Sequence, residues 1–137
     1  MRKITKIIVH CADTPEGRDD KAADIRRWHK ARGFNDIGYH YVVDLDGTIE
    51  PGRDVTIAGA HANGHNADSI GVCYIGGADT DMTPKDTRTK EQKTALRILL
   101  KYLVQKYPGA KIYGHRDFAN KSCPSFDAKT EYKELCE

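Results

Sequence analysis

Ile4-Thr5-Lys6-Ile7-Ile8-Val9-His10 opens the chain with a short run rich in β-branched side chains, closed by a polar loop. Such a run reads as a buried strand. Its last residue is a histidine, and a side chain at the end of a buried strand is held rigidly and points at whatever lies beyond the sheet edge. Working outward, residues 21–32 read as a helix, with Ala22, Ile25, Trp28 and Ala31 close to one stripe and Gly33 as its stop. Residues 38–45 form a second strand, and Asp46-Gly47 turns it into Thr48-Ile49-Glu50 as a hairpin. Residues 57–68 are rich in Gly, Ala, His and Asn and read as an irregular loop. Ser69 to Ile75 is a third long strand, followed by a polar connection over residues 76–88.

The clearest helix spans residues 89–107. Leu96, Leu99, Leu100, Leu103, Val104 and Tyr107 follow the i, i+3, i+4, i+7 spacing, Thr89 with Gln92 offers a capping box, and Pro108-Gly109 ends it. Residues 111–114 form a short strand that delivers His115 to a sheet edge. Residues 127–135 give a last helix capped by Asp127. Strands alternating with helices, and one hairpin between them, predict a mixed central β-sheet flanked by helices, an α/β architecture. At 137 residues the chain is expected to be one domain, residues 1–137, long enough to bury a single core.

A net charge of +2 is too small to argue for nucleic acid or a membrane surface as partner, and 39% hydrophobic with 31% charged residues is ordinary for a soluble globular protein. No apolar stretch reaches the roughly 18 residues that cross a bilayer. Met1-Arg2-Lys3 is basic, but the apolar run behind it is broken by Thr5 and Lys6 and ends at a histidine, so no signal peptide is expected and the chain should stay in the cytosol. The four cysteines, Cys11, Cys73, Cys123 and Cys136, are scattered with no C-x-x-C, which favours free thiols. Cys11 and Cys73 sit in apolar runs and read as packed core thiols; Cys136 reads as incidental.

Chemistry concentrates in Gly114-His115-Arg116-Asp117-Phe118-Ala119-Asn120-Lys121-Ser122-Cys123-Pro124. Imidazole and thiolate are ligands that suit zinc, and here a cation, Lys121, lies between the two. A third ligand must come from elsewhere, and His10 is the candidate. Two histidines and one cysteine leave a tetrahedral zinc with one open position, the pattern of a catalytic site. Spacing alone carries no information on whether residues 10 and 115 meet. His40 and His61 are rival ligands. His40 lies between Tyr39 and Tyr41 and faces opposite to both in a strand, which favours a partnered structural role. His61, in the Gly/Asn-rich loop, is a candidate substrate contact on a cleft wall. His65 reads as solvated and His29 as a surface residue of its helix.

The chain resembles the zinc-dependent N-acetylmuramoyl-L-alanine amidases, the family of the amidase-type phage lysozymes and the peptidoglycan recognition proteins. The resemblance runs through Ile8-Val9-His10-Cys11, Ile25-Arg26-Arg27-Trp28-His29-Lys30 and Asp36-Ile37-Gly38-Tyr39-His40-Tyr41, then Asp46-Gly47-Thr48, Gly52-Arg53-Asp54, His61-Ala62-Asn63-Gly64 and Ser69-Ile70-Gly71-Val72. It ends in Gly114-His115-Arg116 and Lys121-Ser122-Cys123-Pro124-Ser125-Phe126-Asp127. Each motif is weak alone; all of them in order are specific, and the likeness is strongest to the phage enzymes.

The resemblance implies a Zn2+ ion held by His10, His115 and Cys123, with catalytic help from Tyr39 and Lys121. It also implies peptidoglycan as substrate, cut at the amide between the lactyl group of N-acetylmuramic acid and L-alanine. For a phage endolysin the missing signal peptide fits storage in the host cytoplasm until a separate protein opens the membrane. Some family members bind peptidoglycan without cutting it, usually by losing the cysteine ligand; Cys123, Tyr39 and Lys121 are all present here. A cytosolic recycling amidase, a non-catalytic binding module and a regulatory partner of a phage RNA polymerase are the competing readings, and monomer is the default state. Sugar cleavage would need two carboxylates across a cleft, and nothing in the sequence marks such a pair.

Overall fold

The computed structural model describes residues 2–137. Its frame is a five-stranded sheet built from β1 (Lys6–Cys11), β3 (Tyr41–Val43), β4 (Ile49–Pro51), β5 (Ser69–Tyr74) and β7 (Lys111–Gly114), in the order β4-β3-β5-β1-β7. β1 runs parallel to both β5 and β7, and β3 runs parallel to β5; only the hairpin strand β4 is antiparallel. β1 and β5, at the centre, are apolar along nearly their whole length, as strands covered on both faces must be.

Alternation along these strands sorts the two faces. Ile7, Val9 and Cys11 of β1 and Ile70, Val72 and Tyr74 of β5 join Leu96, Leu99, Leu100 and Leu103 of α2 (Lys90–Lys106) in one core. Thr89 caps α2 as its sequence promised: its hydroxyl accepts from the Gln92 amide and its own amide donates to the Gln92 side chain. On the opposite face Ile25 and Ala22 of α1 (Ala22–Ala31) pack with Ile37, Val42, Cys73 and Ile75. The first turn of α1 has no acceptor of its own in Lys21; instead Glu50 of β4 accepts from the Ala22 amide at 2.9 Å and Asp24 from the Lys21 amide at 2.8 Å.

Several sequence expectations shift in detail. The second strand begins at Tyr41, so Tyr39 and His40 lie in the segment leading into it. Both polar connections carry a short strand, β2 (Thr14–Pro15) and β6 (Gly77–Ala78), paired with each other. The last helix is α3 (Ala128–Glu131), capped by Asp127 and continued as a 3-10 turn at Lys133–Cys136. On α1 the buried stripe is Ala22, Ile25 and His29, while Ala31 is exposed. His29 is therefore not a surface residue: it is buried and its Nδ1 accepts the Gly38 amide at 2.9 Å, a partner that offsets the cost of burying the ring.

Cys11 and Cys73 are buried thiols and Cys136 is partly exposed. Among the described residues no helix is long and apolar enough to cross a membrane.

Candidate active site

β1 carries His10 to the sheet edge on the face opposite α2, where it is 1% exposed. β7, the next strand, ends at Gly114 and turns through a 3-10 helix, His115–Asp117, so His115 lands beside it with ring centroids 4.6 Å apart. The loop then doubles back: the Arg116 amide donates to the Cys123 carbonyl at 2.8 Å, which closes residues 116–123 and returns Cys123 to His115. One donor atom from each of His10, His115 and Cys123 lies within 4.8 Å of the others. His10 Nδ1 is 3.8 Å from Cys123 Sγ. Tetrahedral zinc with bonds of about 2.0–2.1 Å to nitrogen and about 2.3 Å to sulfur sets such a pair about 3.6 Å apart, so His10 and Cys123 already have the spacing zinc requires.

The loop that brings Cys123 in is anchored to the core behind it. Tyr74 of β5 donates its hydroxyl to the Pro124 carbonyl at 2.6 Å, and Ser125 Oγ donates to the Gly77 carbonyl at 2.8 Å. Next along, Phe126 is covered by the guanidinium of Arg88, 3.4 Å from the ring centroid. Arg88 is itself buried and is held by Asp86, Glu131 and the Tyr132 hydroxyl. Sequence reading missed this anchor because its partners, Asp86 at one end and Tyr132 at the other, lie 46 positions apart with no local signature.

The protonation states suit ligation. Burial pushes the His10 imidazole well below its usual range, reinforced by His61, His115 and Lys121. His115 is lowered by burial and by Lys121. Both rings are therefore neutral at pH 7, the form that donates to a metal. The Cys123 thiol is pushed up by its contact with the Cys11 thiol and by burial. A bound divalent cation reverses that balance, because a coordinating thiol is deprotonated. The Cys11 amide points at Cys123 Sγ from 3.2 Å, a donor ready for the negative sulfur.

Around this cluster the surface opens into two adjoining clefts. One, of about 520 Å³, is lined by Trp28, His29, Arg32, Tyr39, His115, Lys121 and Cys123 among others. Its neighbour, of about 560 Å³, is lined by Arg32, Phe34, His61, Asn66, His115, Phe118 and Lys121 among others. Arg32, His115 and Lys121 belong to both, so the His115 end of the cluster sits where the two meet. Tyr39 stands over His10 with ring centroids 5.0 Å apart, and burial raises its phenol well above the usual range. Lys121 is exposed on the cleft wall.

The other histidines separate clearly. His40 is buried, accepts the Gly71 amide on Nδ1 at 3.0 Å and uses Nε2 on the Ile57 carbonyl at 2.8 Å, a fully partnered structural residue. His61 is 8% exposed and lies behind His10, Nδ1 to Nε2 at 2.8 Å. His65 is only partly exposed and packs on Phe118 with ring centroids 4.2 Å apart.

Residues 1–126 match the N-acetylmuramoyl-L-alanine amidase family. The endolysin of Klebsiella phage KP32 is 44% identical over 128 residues, covering 93% of this chain and 85% of that protein. The endolysin of Escherichia phage T7 is 45% identical over 123 residues, covering 90% and 82%. Among solved structures, the N-acetylmuramoyl-L-alanine amidase LysC from Clostridium intestinale superposes with a TM-score of 0.83 at 29% identity, covering 98% of this chain and 86% of that one. An α/β sheet whose edge gathers two imidazoles and a thiol in an open cleft belongs with the cell-wall hydrolases these matches describe. The chain belongs to the N-acetylmuramoyl-L-alanine amidase family.

Proposed function

We propose that the chain is a zinc-dependent peptidoglycan amidase of the phage endolysin kind. It cuts the amide between the lactyl group of N-acetylmuramic acid and L-alanine of the stem peptide. The observation that carries this reading is the convergence of His10, His115 and Cys123, donor atoms within 4.8 Å, at the cleft of an amidase-family chain.

His10 through Nδ1, His115 through a ring nitrogen and Cys123 through sulfur would hold the ion. Bound there, zinc supplies Lewis acidity and brings the pKa of water toward about 7, so that a hydroxide-like nucleophile is available at neutral pH. The chain's own residues supply the rest. Tyr39, kept protonated by burial, acts as a hydrogen-bond donor beside His10 and orients the attacking water or the scissile carbonyl. Lys121 presents its ammonium from the cleft wall to the charge that develops on the carbonyl oxygen. Trp28 in one cleft and Phe118 in the other offer apolar faces for sugar and peptide. In the host the protein would accumulate inside the cell and reach the wall once another protein opens the membrane.

Mass spectrometry of the products from purified peptidoglycan tests this. The native protein should release stem peptides with a free L-alanine amine, a chelator should stop it, and zinc should restore it. Cys123→Ser should retain the fold by circular dichroism and lose at least about 10³-fold in rate, the scale expected when a group essential to transition-state stabilisation is removed. New reducing sugar ends would mean a different bond is cut. Activity that survives both chelation and Cys123→Ser would remove the metal from the reading.

A further inference from the structure

His61 was a candidate substrate contact from its loop, yet both of its ring nitrogens are used inside the protein. Nδ1 meets His10 Nε2 at 2.8 Å and Nε2 meets Ser69 Oγ at 3.1 Å. Ser69 is fully buried at the start of β5, paired across the sheet to Lys6 of β1. The ring is clamped in this pose. A Cβ on Gly71 would stand 2.7 Å from the His61 ring, and one on Gly59 would stand 2.7 Å from its Cδ2, so both positions must be glycine for the ring to fit. The loop is pinned as well, because Asn66 Oδ1 accepts the amides of both His61 and Ala62 at 2.9 Å.

The chain of contacts can carry its protons in either direction, and a metal on His10 Nδ1 selects one of the two. If His10 gives Nδ1 to a metal, its single proton sits on Nε2 and is donated to His61 Nδ1. His61 must then carry its own proton on Nε2, and that proton goes to the Ser69 hydroxyl. The opposite order would put a proton on His10 Nδ1, the nitrogen that faces Cys123. We propose that His61 and Ser69 are a positioning pair that locks His10 as an Nδ1 metal ligand and fixes the orientation of its ring. The inference rests on the zinc reading above and adds to it two residues that act through His10 rather than on the substrate. Hydrogen bonds of this kind behind a ligand are worth about 10–100-fold in metal affinity.

The test strips zinc from the full chain and titrates it back against a chromophoric chelator. His61→Phe keeps a ring in the clamp and removes both hydrogen bonds; Ser69→Ala removes only the far acceptor. The pair predicts about 10–100-fold weaker zinc binding for His61→Phe and a smaller loss for Ser69→Ala, with KM for peptidoglycan unchanged at saturating zinc. Nitrogen-15 NMR of His10 in the metal-free native protein should find the Nε2–H form, and this preference should weaken in Ser69→Ala. Native affinity in the variants together with a raised KM would make His61 a substrate contact and overturn its positioning role. A native chain that takes up no zinc would overturn the metal reading itself, and the two failures are told apart by the native titration alone.

Discussion

The two faces of the central sheet are built from the same two strands and do opposite things. Toward α2, Ile7, Val9, Ile70, Val72 and Tyr74 meet a row of leucines, and the polar side chains buried beside them, Gln92 and Arg88, are hydrogen-bonded. Toward α1 the alternate positions are Ile8, His10, Gly71 and Cys73, and beyond them lie His29, His40 and His61, every one buried. The first face obtains its stability from apolar area removed from water. The second holds imidazoles that would each be costly if left without a partner, and each of the three has one within hydrogen-bond distance. A period of two along β1 and β5 is therefore enough to set a stabilising face back to back with a functional one.

The largest stability effect should come from breaking the dry face. Leu100 is fully buried, and Leu100→Ala removes buried volume that its rigid neighbours cannot refill. Chemical denaturation should find a loss of about 3–4 kcal/mol. Zinc affinity measured on the protein that remains folded should stay within about twofold of native, since additivity holds for sites that share no partners. A comparable fall in zinc affinity would mean that the two faces are not independent.

How far the sequence could be read follows from the same division. The strand around His10, the helix after Thr89 and the Asp46-Gly47 turn carry local signals, a period or a turn dipeptide, and each is found within two residues of where expected, the first strand running over Lys6–Cys11 rather than Ile4 to His10. His29 escaped because a hydrophobic stripe reads a histidine as polar, whereas its burial depends on a hydrogen bond to Gly38 nine residues later. The β2–β6 pairing joins Thr14–Pro15 to Gly77–Ala78, two pieces too short to show a period. The loop composition around His61 pointed to a cleft wall; that the ring also backs His10 depends on contacts 51 residues apart. What stays illegible in each case is a contact made by tertiary geometry alone.

Arg88 probes a place where the dry core reaches into the site. Its guanidinium lies 3.4 Å from the centroid of Phe126, three residues past the proposed ligand Cys123, and holds Glu131 and Tyr132. Arg88→Met should cost about 2–3 kcal/mol, because the charged hydrogen bonds go while Asp86 and Glu131, partly exposed, regain water. Unlike Leu100→Ala, it should also weaken zinc binding, by loosening the segment that fixes Cys123. Unchanged metal affinity would assign that segment's rigidity to Tyr74 and Ser125 instead.

The smallest effect lies at the rim of the α1 face, where Asp44 and Glu50 of the hairpin sit together beneath the start of α1. Asp44 is 2% exposed, one of its carboxylate oxygens has no partner, and burial and Glu50 raise its pKa to about 7 despite Lys21 at 3.9 Å. In the unfolded chain an aspartate titrates near about 3.9. Between these values the native state binds the extra proton, so this group's stabilisation is complete below about pH 4 and is lost as pH rises through about 7. Asp44→Asn keeps the shape, cannot ionise and can donate an amide hydrogen to Glu50. Its stability should therefore lack this decline, leaving the variant about 1–2 kcal/mol above native at pH 8; this is less than the full shift implies, since the effective cost of a buried charge falls when water reaches it. Denaturation curves at pH 5 and pH 8 decide the matter: a native-minus-variant difference that does not change between the two would mean that Asp44 is already ionised in the folded protein, with Lys21 rather than a proton balancing the pair.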